Sequence, residues 1–255
     1  MSNGAERMKN VKQKKYKMNI ALIIAGGVGN RMGQDIPKQF LYINNCPVII
    51  KTMLAFEQHP DIHEIAVVCL QGWETVLKSY ANQYSITKFK YIFPGGMNGQ
   101  DSIRNGIFGL LEKGCSGEDM ILIHDAVRPL VSQEIISNNI VTCRKYGNAI
   151  TVIKCVEAIL ESDDKLSSDI SISRDKLFRT QTPQTFFLRD IAEAHKQALE
   201  KGITASVSSC TLMIELGERI LYMAGGEEKN IKLTNPEDVE IYKSLLQSEQ
   251  ETWIK

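Results

Sequence analysis

Short apolar runs alternate along the chain with stretches whose apolar residues recur at helical spacing. Four of these runs are predicted to be buried strands, namely Ile20–Ala25, Glu64–Leu70, Phe89–Phe93 and Met120–His124. Helices are predicted between or after them, near Val48–Gln58, Gln100–Lys113 and Gln133–Tyr146. This alternation predicts an α/β fold, a single Rossmann-like domain with a mostly parallel central sheet.

The segment 149–175 interrupts the alternation. Two β-like runs, Ile150–Leu160 and Ser168–Ser173, flank an acidic turn at 161–165 and predict a protruding β-arm. A protruding hairpin exposes backbone edges that a partner subunit commonly covers, so the arm predicts a homodimer. The domain is expected to span 18–255, and the lysine-rich residues 1–17 are expected to be a disordered extension.

Composition narrows the classes of partner. Thirty basic residues balance thirty acidic ones, for a formal net charge of zero, which argues against a nucleic-acid or membrane-surface role. No apolar run approaches the roughly 20 residues of a membrane span. The six cysteines are scattered, without a C-x-x-C pair or a nearby histidine. They are therefore predicted to be reduced structural thiols in a cytoplasmic protein.

A glycine-rich loop follows the first predicted strand, in the sequence Ala25-Gly-Gly-Val-Gly-Asn-Arg-Met-Gly33. Glycines allow backbone N–H groups to turn toward one anion, and Arg31 and Lys38 add two positive charges beside them. The spacing matches neither a Walker loop nor a G-x-G-x-x-G fingerprint. The loop is therefore interpreted as a phosphate-binding loop of another kind, and the alternative is a plain connection between a strand and a helix.

Asp125 comes directly after the apolar strand in Ile121-Leu-Ile-His-Asp-Ala-Val-Arg-Pro129. A carboxylate at a strand end can hold Mg²⁺ against phosphate oxygens, although it could instead cap the next helix. Ligands of parallel sheets bind at the carboxyl ends of the strands, so Asp125 is expected to share one crevice with both glycine segments. His124 faces the other side of the strand and is predicted to be a structural histidine.

The second glycine segment, Gly95-Gly-Met-Asn-Gly-Gln-Asp-Ser102, opens a predicted helix. Its N–H groups and the Ser102 hydroxyl suit the polar edge of a base or sugar, and the alternative is a plain turn. Further along, Arg174, the Thr182-Pro-Gln184 turn and Lys232 add two cations and a hydroxyl. Exposed cations are usually solvated, so each of these residues alone is weak evidence for a binding site.

Together these segments resemble the cytidylyltransferase family that includes the methylerythritol phosphate and ribitol-phosphate cytidylyltransferases. The similarity runs from about Asn19 to Leu246, through A-G-G-x-G-x-R-M-G, P-K-Q, G-G-x-x-x-x-x-S, H-D-A-x-R-P, R-D, T-P-Q and N-I-K. The resemblance implies that the chain transfers CMP from CTP to a polyol phosphate with Mg²⁺ as cofactor. No general base is expected, because a phosphate monoester is largely dianionic at neutral pH.

The resemblance also implies a role for each motif. The triphosphate would be held by Ala25, Gly26, Gly27, Gly29, Arg31 and Lys38, and the cytosine and ribose by Gly95, Gly96 and Ser102. Asp125 would hold the magnesium ion. The acceptor phosphate would meet Arg128, Arg174, Thr182 and Lys232, with Arg128 reaching it from a neighbouring subunit. Arg31, Lys38 and Lys232 would be the catalytic cations.

Residues around the shared motifs favour the ribitol-phosphate branch, so D-ribitol 5-phosphate is the expected acceptor and 2-C-methyl-D-erythritol 4-phosphate the alternative. Two positions depart from the family pattern. Gly99 stands where the family usually has Arg, and Glu157-Ala158 stands where Asp-Thr is usual. These departures leave open an inactive nucleotide-binding or scaffold protein.

Overall fold

The computed structural model describes residues 17–27, 36–217 and 220–250. The expected extension, apart from Lys17, lies outside these residues, as do Gly29 and Arg31. The strands are β1 (Asn19–Ala25), β2 (Tyr42–Ile43), β3 (Cys46–Pro47), β4 (Glu64–Cys69), β5 (Phe89–Pro94), β6 (Met120–Asp125), β7 (Asn148–Lys154), β8 (Ile159–Glu161), β9 (Ile170–Ile172), β10 (Phe178–Phe187) and β11 (Met223–Gly225). The helices are α1 (Val48–Glu57), α2 (Glu74–Gln83), α3 (Gly99–Glu112), α4 (Gln133–Tyr146), α5 (Leu188–Glu200), α6 (Ser209–Glu215) and α7 (Pro236–Gln250).

Within the described chain, seven strands form the central sheet in the order β11-β7-β10-β6-β1-β4-β5. Strands β6, β1, β4 and β5 are mutually parallel, whereas β10 runs antiparallel to both β6 and β7. The sheet therefore confirms the mostly parallel α/β fold. The four strands predicted from apolar runs are β1, β4, β5 and β6.

The middle strand β1 is apolar along nearly its whole length because helices cover both faces of the sheet. Ala21 and Ile23 pack on one face with residues of α1 and α4, and Ile20 and Leu22 pack on the other with residues of α3, α5 and α6. Alternate side chains of one strand thus enter two separate apolar cores.

The arm is smaller than the segment 149–175 suggests. Residues 148–154 form β7, which lies inside the central sheet between β10 and β11. Only the second half of the run Ile150–Leu160 leaves the sheet, and there β8 pairs with β9 alone. The apolar residues of the run continue past Lys154 to Leu160, so the pattern gave no sign of this division.

Thr182-Pro-Gln184, expected to be a turn, lies within strand β10. The pairing of β10 with β7 shifts register between Thr180 and Gln184, at the position of the proline. Pro183 has no N–H to donate to a ladder, so an irregularity in the strand accommodates it.

Two features of the described residues bear on the expectations from composition. None of the six cysteines forms a disulfide, in accordance with structural thiols. None of the described helices combines the length and the apolar character needed to cross a membrane.

Candidate active site

Two neighbouring cavities open at the carboxyl ends of β1 and β6. The first cavity, about 260 Å³, lies between the two glycine segments, and its lining includes Ala25, Gly26, Gly27, Lys38, Gly96 and Ser102. The second cavity, about 270 Å³, lies against β10, and its lining includes Arg128, Thr182, Gln184, Ser206 and Ser209. Four residues line both cavities, namely Ile24, Gly99, Asp125 and Lys232. The expected crevice is confirmed, and it has two compartments that meet at Asp125.

The two glycine segments approach each other closely at the first cavity. A Cβ atom added to Gly26 would lie 3.0 Å from the Cα atom of Gly95. A Cβ atom added to Gly96 would lie 2.3 Å from the Cβ atom of Asp101. Glycine is therefore required here for backbone packing, which brings the main chain of both segments to the cavity wall.

Ser102 shapes the second glycine segment from inside. Its buried hydroxyl accepts a hydrogen bond from the N–H of Gly96 and donates one to the carbonyl of Asn98, each at 2.9 Å. The hydroxyl proton is therefore used within the chain, whereas the sequence suggested that it contacts a ligand directly. The Asn98 side chain in turn caps α3 by accepting the N–H of Asp101 at 2.9 Å.

The first glycine segment is held by Gln39, a residue that sequence reasoning did not assign. Its buried amide donates to the carbonyl of Ala25 at 2.9 Å and to that of Gly27 at 2.8 Å. Gln39 thus fixes the backbone on both sides of Gly26. Its position directly after Lys38 in the P-K-Q motif was the available signal, and Lys38 itself lines the first cavity.

Asp125 is held between two cations. Its Oδ1 atom lies 3.0 Å from Nζ of Lys232, and its Oδ2 atom lies 3.0 Å from Nε of Arg128. Burial raises the pKa of the Asp125 carboxyl, but Lys232 and Arg128 outweigh burial and lower that pKa to about 2. Asp125 is therefore ionised at neutral pH and is a poor proton acceptor.

His124 lies beneath this group, fully buried, with both ring nitrogens hydrogen-bonded. Its Nε2 atom is 3.1 Å from the carbonyl oxygen of Arg128, which can only accept, so Nε2 carries the proton. Its Nδ1 atom then accepts from the Thr182 hydroxyl at 3.1 Å. Burial lowers the pKa of His124 to about 4, which keeps the ring neutral. The prediction of a structural histidine is confirmed.

Thr182 completes the same chain of hydrogen bonds. Its hydroxyl accepts the N–H of Asp125 at 3.1 Å and donates to His124. The hydroxyl expected to meet a phosphate thus has its proton engaged within the protein. Thr182 lines the second cavity and anchors the end of β6 to β10.

The loop around residue 230 supports both cations. Arg128 donates from Nη1 to the carbonyl of Asn230 at 2.6 Å, and the Asn230 side chain donates to the carbonyl of Thr182 at 2.9 Å. Arg128 therefore lies in the site of its own chain, bound to Asp125 and Asn230, which differs from the expected reach into a neighbouring subunit. Asn230 is fully buried, and the N-I-K motif is what marks it in the sequence.

Among the described residues, Arg174 lies apart from the other expected site residues. It lies in a short 3₁₀ helix, Arg174–Lys176, beside the arm, and its guanidinium donates to the carbonyl of Val156. Neither cavity includes it in the lining. Within this chain, Arg174 therefore contacts the backbone of the arm segment and lies away from both cavities.

The arrangement suits anion chemistry more than proton transfer. Lys38, Arg128 and Lys232 supply positive charge around one ionised carboxylate, and neither Asp125 nor His124 is protonated and deprotonated near neutral pH. Within the described residues no three His, Cys, Asp or Glu side chains converge into a metal cage. A parallel sheet that places glycine segments and cations around one crevice defines the class of nucleotide-binding α/β proteins.

Comparison with known proteins identifies the family within that class. Residues 19–248 match the family model of IspD, 2-C-methyl-D-erythritol 4-phosphate cytidylyltransferase. The chain belongs to this family, and it is a cytidylyltransferase.

Relatives within the family carry two different names. A ribitol-5-phosphate cytidylyltransferase of Lacticaseibacillus paracasei is 38% identical over 91% of this chain and 100% of the relative. One of the same name from Vibrio parahaemolyticus is 40% identical over 91% of this chain and 98% of the relative. A 2-C-methyl-D-erythritol 4-phosphate cytidylyltransferase of Clostridium botulinum is 35% identical over 90% of this chain and 97% of the relative.

Solved structures confirm the fold. The 4-diphosphocytidyl-2C-methyl-D-erythritol synthase of Anaerococcus prevotii superposes with a TM-score of 0.77 at 25% identity, covering 91% of this chain and 96% of that one.

Proposed function

We propose that this cytidylyltransferase transfers CMP from CTP to D-ribitol 5-phosphate and releases pyrophosphate. The observation that carries the proposal is the pair of cavities that meet at Asp125 and Lys232. The first cavity, walled by glycine backbone and Lys38, suits a nucleoside triphosphate, and the second suits a small phosphorylated acceptor. The names of two relatives at 38% and 40% identity support the ribitol branch.

The proposed reaction is a displacement at the α-phosphorus of CTP. An oxygen of the acceptor phosphate forms the new bond, the bond from the α-phosphorus to the oxygen that bridges to the β-phosphorus breaks, and pyrophosphate leaves with that oxygen. A phosphate monoester has a second pKa of about 6, so most of it is already deprotonated at neutral pH. The chain must therefore orient two anions and neutralise their charge, which Lys38, Lys232 and Arg128 are placed to do.

Asp125 is suited to supply one protein ligand to a magnesium ion. It is ionised, it lines both cavities, and a Mg²⁺ ion bound to phosphates commonly takes only one or two carboxylates from the protein. A bound ion there would offset negative charge on the phosphate oxygens. Lys232 and Arg128 each contact one oxygen of this carboxylate, so a bound ion would share Asp125 with both cations.

The test is pyrophosphate release with CTP and Mg²⁺ against a panel of acceptors. We expect kcat/KM for D-ribitol 5-phosphate to exceed that for 2-C-methyl-D-erythritol 4-phosphate. The second acceptor is the one in the names of the family model and of the Clostridium botulinum relative. The reverse order would overturn the acceptor and leave the transfer reaction standing. No release with any acceptor would indicate the inactive nucleotide-binding protein.

Dimerisation through the arm is part of the proposal. Strands β8 and β9 pair only with each other among the described strands, and apolar side chains are exposed on the arm, with Leu160 at 64% and Ile170 at 51%. An isolated hairpin is marginal in water, so a second subunit covering it would stabilise it. Light scattering should show a dimer, and a fully active monomer would remove this part of the proposal.

Because CTP is made and used in the cytoplasm, we place the protein there.

A further inference from the structure

Gly99, the first residue of α3, lies where the two cavities meet and lines both. Unlike Gly96, it has no packing reason to be glycine, since an added Cβ atom would meet no described atom within 4 Å. Its backbone is helical, a conformation open to any residue. What glycine provides at this position is space between the cavities.

Hydrogen bonds hold the residues on both sides of Gly99 in place. Asn98 donates to the carbonyl of Thr204 at 3.0 Å. The buried Gln100 donates to the carbonyl of Ile203 at 2.7 Å and accepts the N–H of Ser206 at 2.7 Å. These three bonds fasten the first turn of α3 to the segment 203–206, which leads into the wall of the second cavity. The backbone on both sides of Gly99 is thus held against this segment.

We propose that Gly99 sets the size of the acceptor that the site admits. The inference rests on the proposed function, because it assumes that a polyol phosphate occupies the second cavity. With the acceptor phosphate near Lys232, the adjoining carbons pass Gly99, where a side chain would meet them. Because Asn98 and Gln100 hold the walls, an added side chain would take its volume from the acceptor, and a longer polyol would lose more than a shorter one.

The experiment compares Gly99→Leu and Gly99→Ala with the unaltered chain at saturating CTP. D-ribitol 5-phosphate and D-erythritol 4-phosphate, which differ by one carbon, serve as acceptors. Gly99→Leu should lower kcat/KM for the five-carbon acceptor at least about tenfold and for the four-carbon acceptor clearly less, the scale expected when one methylene no longer fits a pocket. Gly99→Ala should shift the ratio in the same direction but less. Because Gly99 lines the first cavity as well, calorimetry measures CTP affinity separately, and the ratio of the two acceptors at saturating CTP carries the test.

Gly225→Leu is the matched control. Gly225 also has open space around an added Cβ atom, but it lies in β11 and lines neither cavity. It should leave the acceptor ratio unchanged, and thermal denaturation of all variants verifies folding. An active Gly99→Leu enzyme with an unchanged ratio of kcat/KM for the two acceptors would overturn this inference and leave the proposed function standing. Weakened CTP binding with that ratio unchanged would do the same. An unaltered chain that uses no polyol phosphate would overturn the proposed function as well.

Discussion

Two Asp-x-x-Arg pairs in this chain have the same spacing and different surroundings. Asp101 and Arg104 are 2.8 Å apart, and Asp125 and Arg128 are 3.0 Å apart, with all four side chains about one-fifth exposed or less. Asp101 lies in the first turn of α3 and lines neither cavity. Asp125 ends a strand, lines both, and has a second cation, Lys232, from 107 residues along the chain. Because both pairs have the same spacing, it is the surroundings that make Asp125 and Arg128 part of the candidate active site.

Asp125→Asn should produce the largest difference between the pairs. Loss of the carboxylate charge leaves two cations facing each other and removes the proposed metal ligand, so kcat/KM should fall by at least about a hundredfold. Asp101→Asn, the matched control, should change kcat/KM by only about threefold, or under 1 kcal/mol, because Asp101 lines neither cavity. Comparable losses in steady-state kinetics would mean that the two pairs do not differ as described.

Lys232→Met removes the cation that only one pair has. A hydrogen bond to a charged group is worth about 1.5–3 kcal/mol, so kcat/KM should fall about ten- to a hundredfold. Lys229→Met, which removes an exposed lysine of the same loop, is the control and should be nearly silent. If both variants behaved alike, general positive charge in the loop, instead of contact with Asp125, would account for the effect.

Arg128→Lys and Arg104→Lys test the number of bonds that each arginine makes. Arg128 donates to Asp125 and to the carbonyl of Asn230, and a lysine ammonium in its place cannot keep both geometries. We expect the acceptor KM to rise about five- to tenfold for Arg128→Lys, equivalent to the loss of one hydrogen bond of about 1 kcal/mol. Arg104→Lys should leave KM within about twofold, and a matching rise there would contradict this.

The smallest expected effect is on stability against pH. The pKa of Asp125 is lowered to about 2 in the folded chain, against about 4 for an unfolded aspartate. Its contribution to stability is therefore complete above pH 4 and is lost as the pH falls toward 2. The difference in Tm between the unaltered chain and Asp125→Asn should be largest at pH 6 and narrow by pH 2.5. A difference independent of pH would contradict the lowered pKa.

The part of the site that local sequence predicts lies on β1 and β6. Each strand is a short apolar run followed at once by its functional residues, so one segment indicates both the fold and the chemistry. Ala25, Gly26 and Asp125 therefore gather as expected. Glycine spacing also marked Gly96, although the reason it must be glycine, the contact with Asp101, is visible only in the structure.

The remainder depends on contacts between segments far apart in the chain. The sequence predicts a turn at Thr182-Pro-Gln184. The irregular pairing of β10 that accommodates the proline within a strand is a property of the whole sheet. The part played by Asn230 rests on a bond to Thr182 across 48 residues. Arg174 carries the right charge, but the arm holds it elsewhere, which no local pattern indicates.

The position of β10 divides the site along the chain. Strands β1, β4, β5 and β6 are complete by residue 125 and lie next to one another in the sheet. Strand β7 pairs with β10 and β11 but not with β6, so its link to these four strands depends on β10, which ends at residue 187. Apart from Lys232, the described residues that line the first cavity all precede residue 128, whereas the second cavity also uses residues 180–209. A chain that ended before β10 would therefore contain nearly all the residues of the nucleotide side and lack much of the acceptor side.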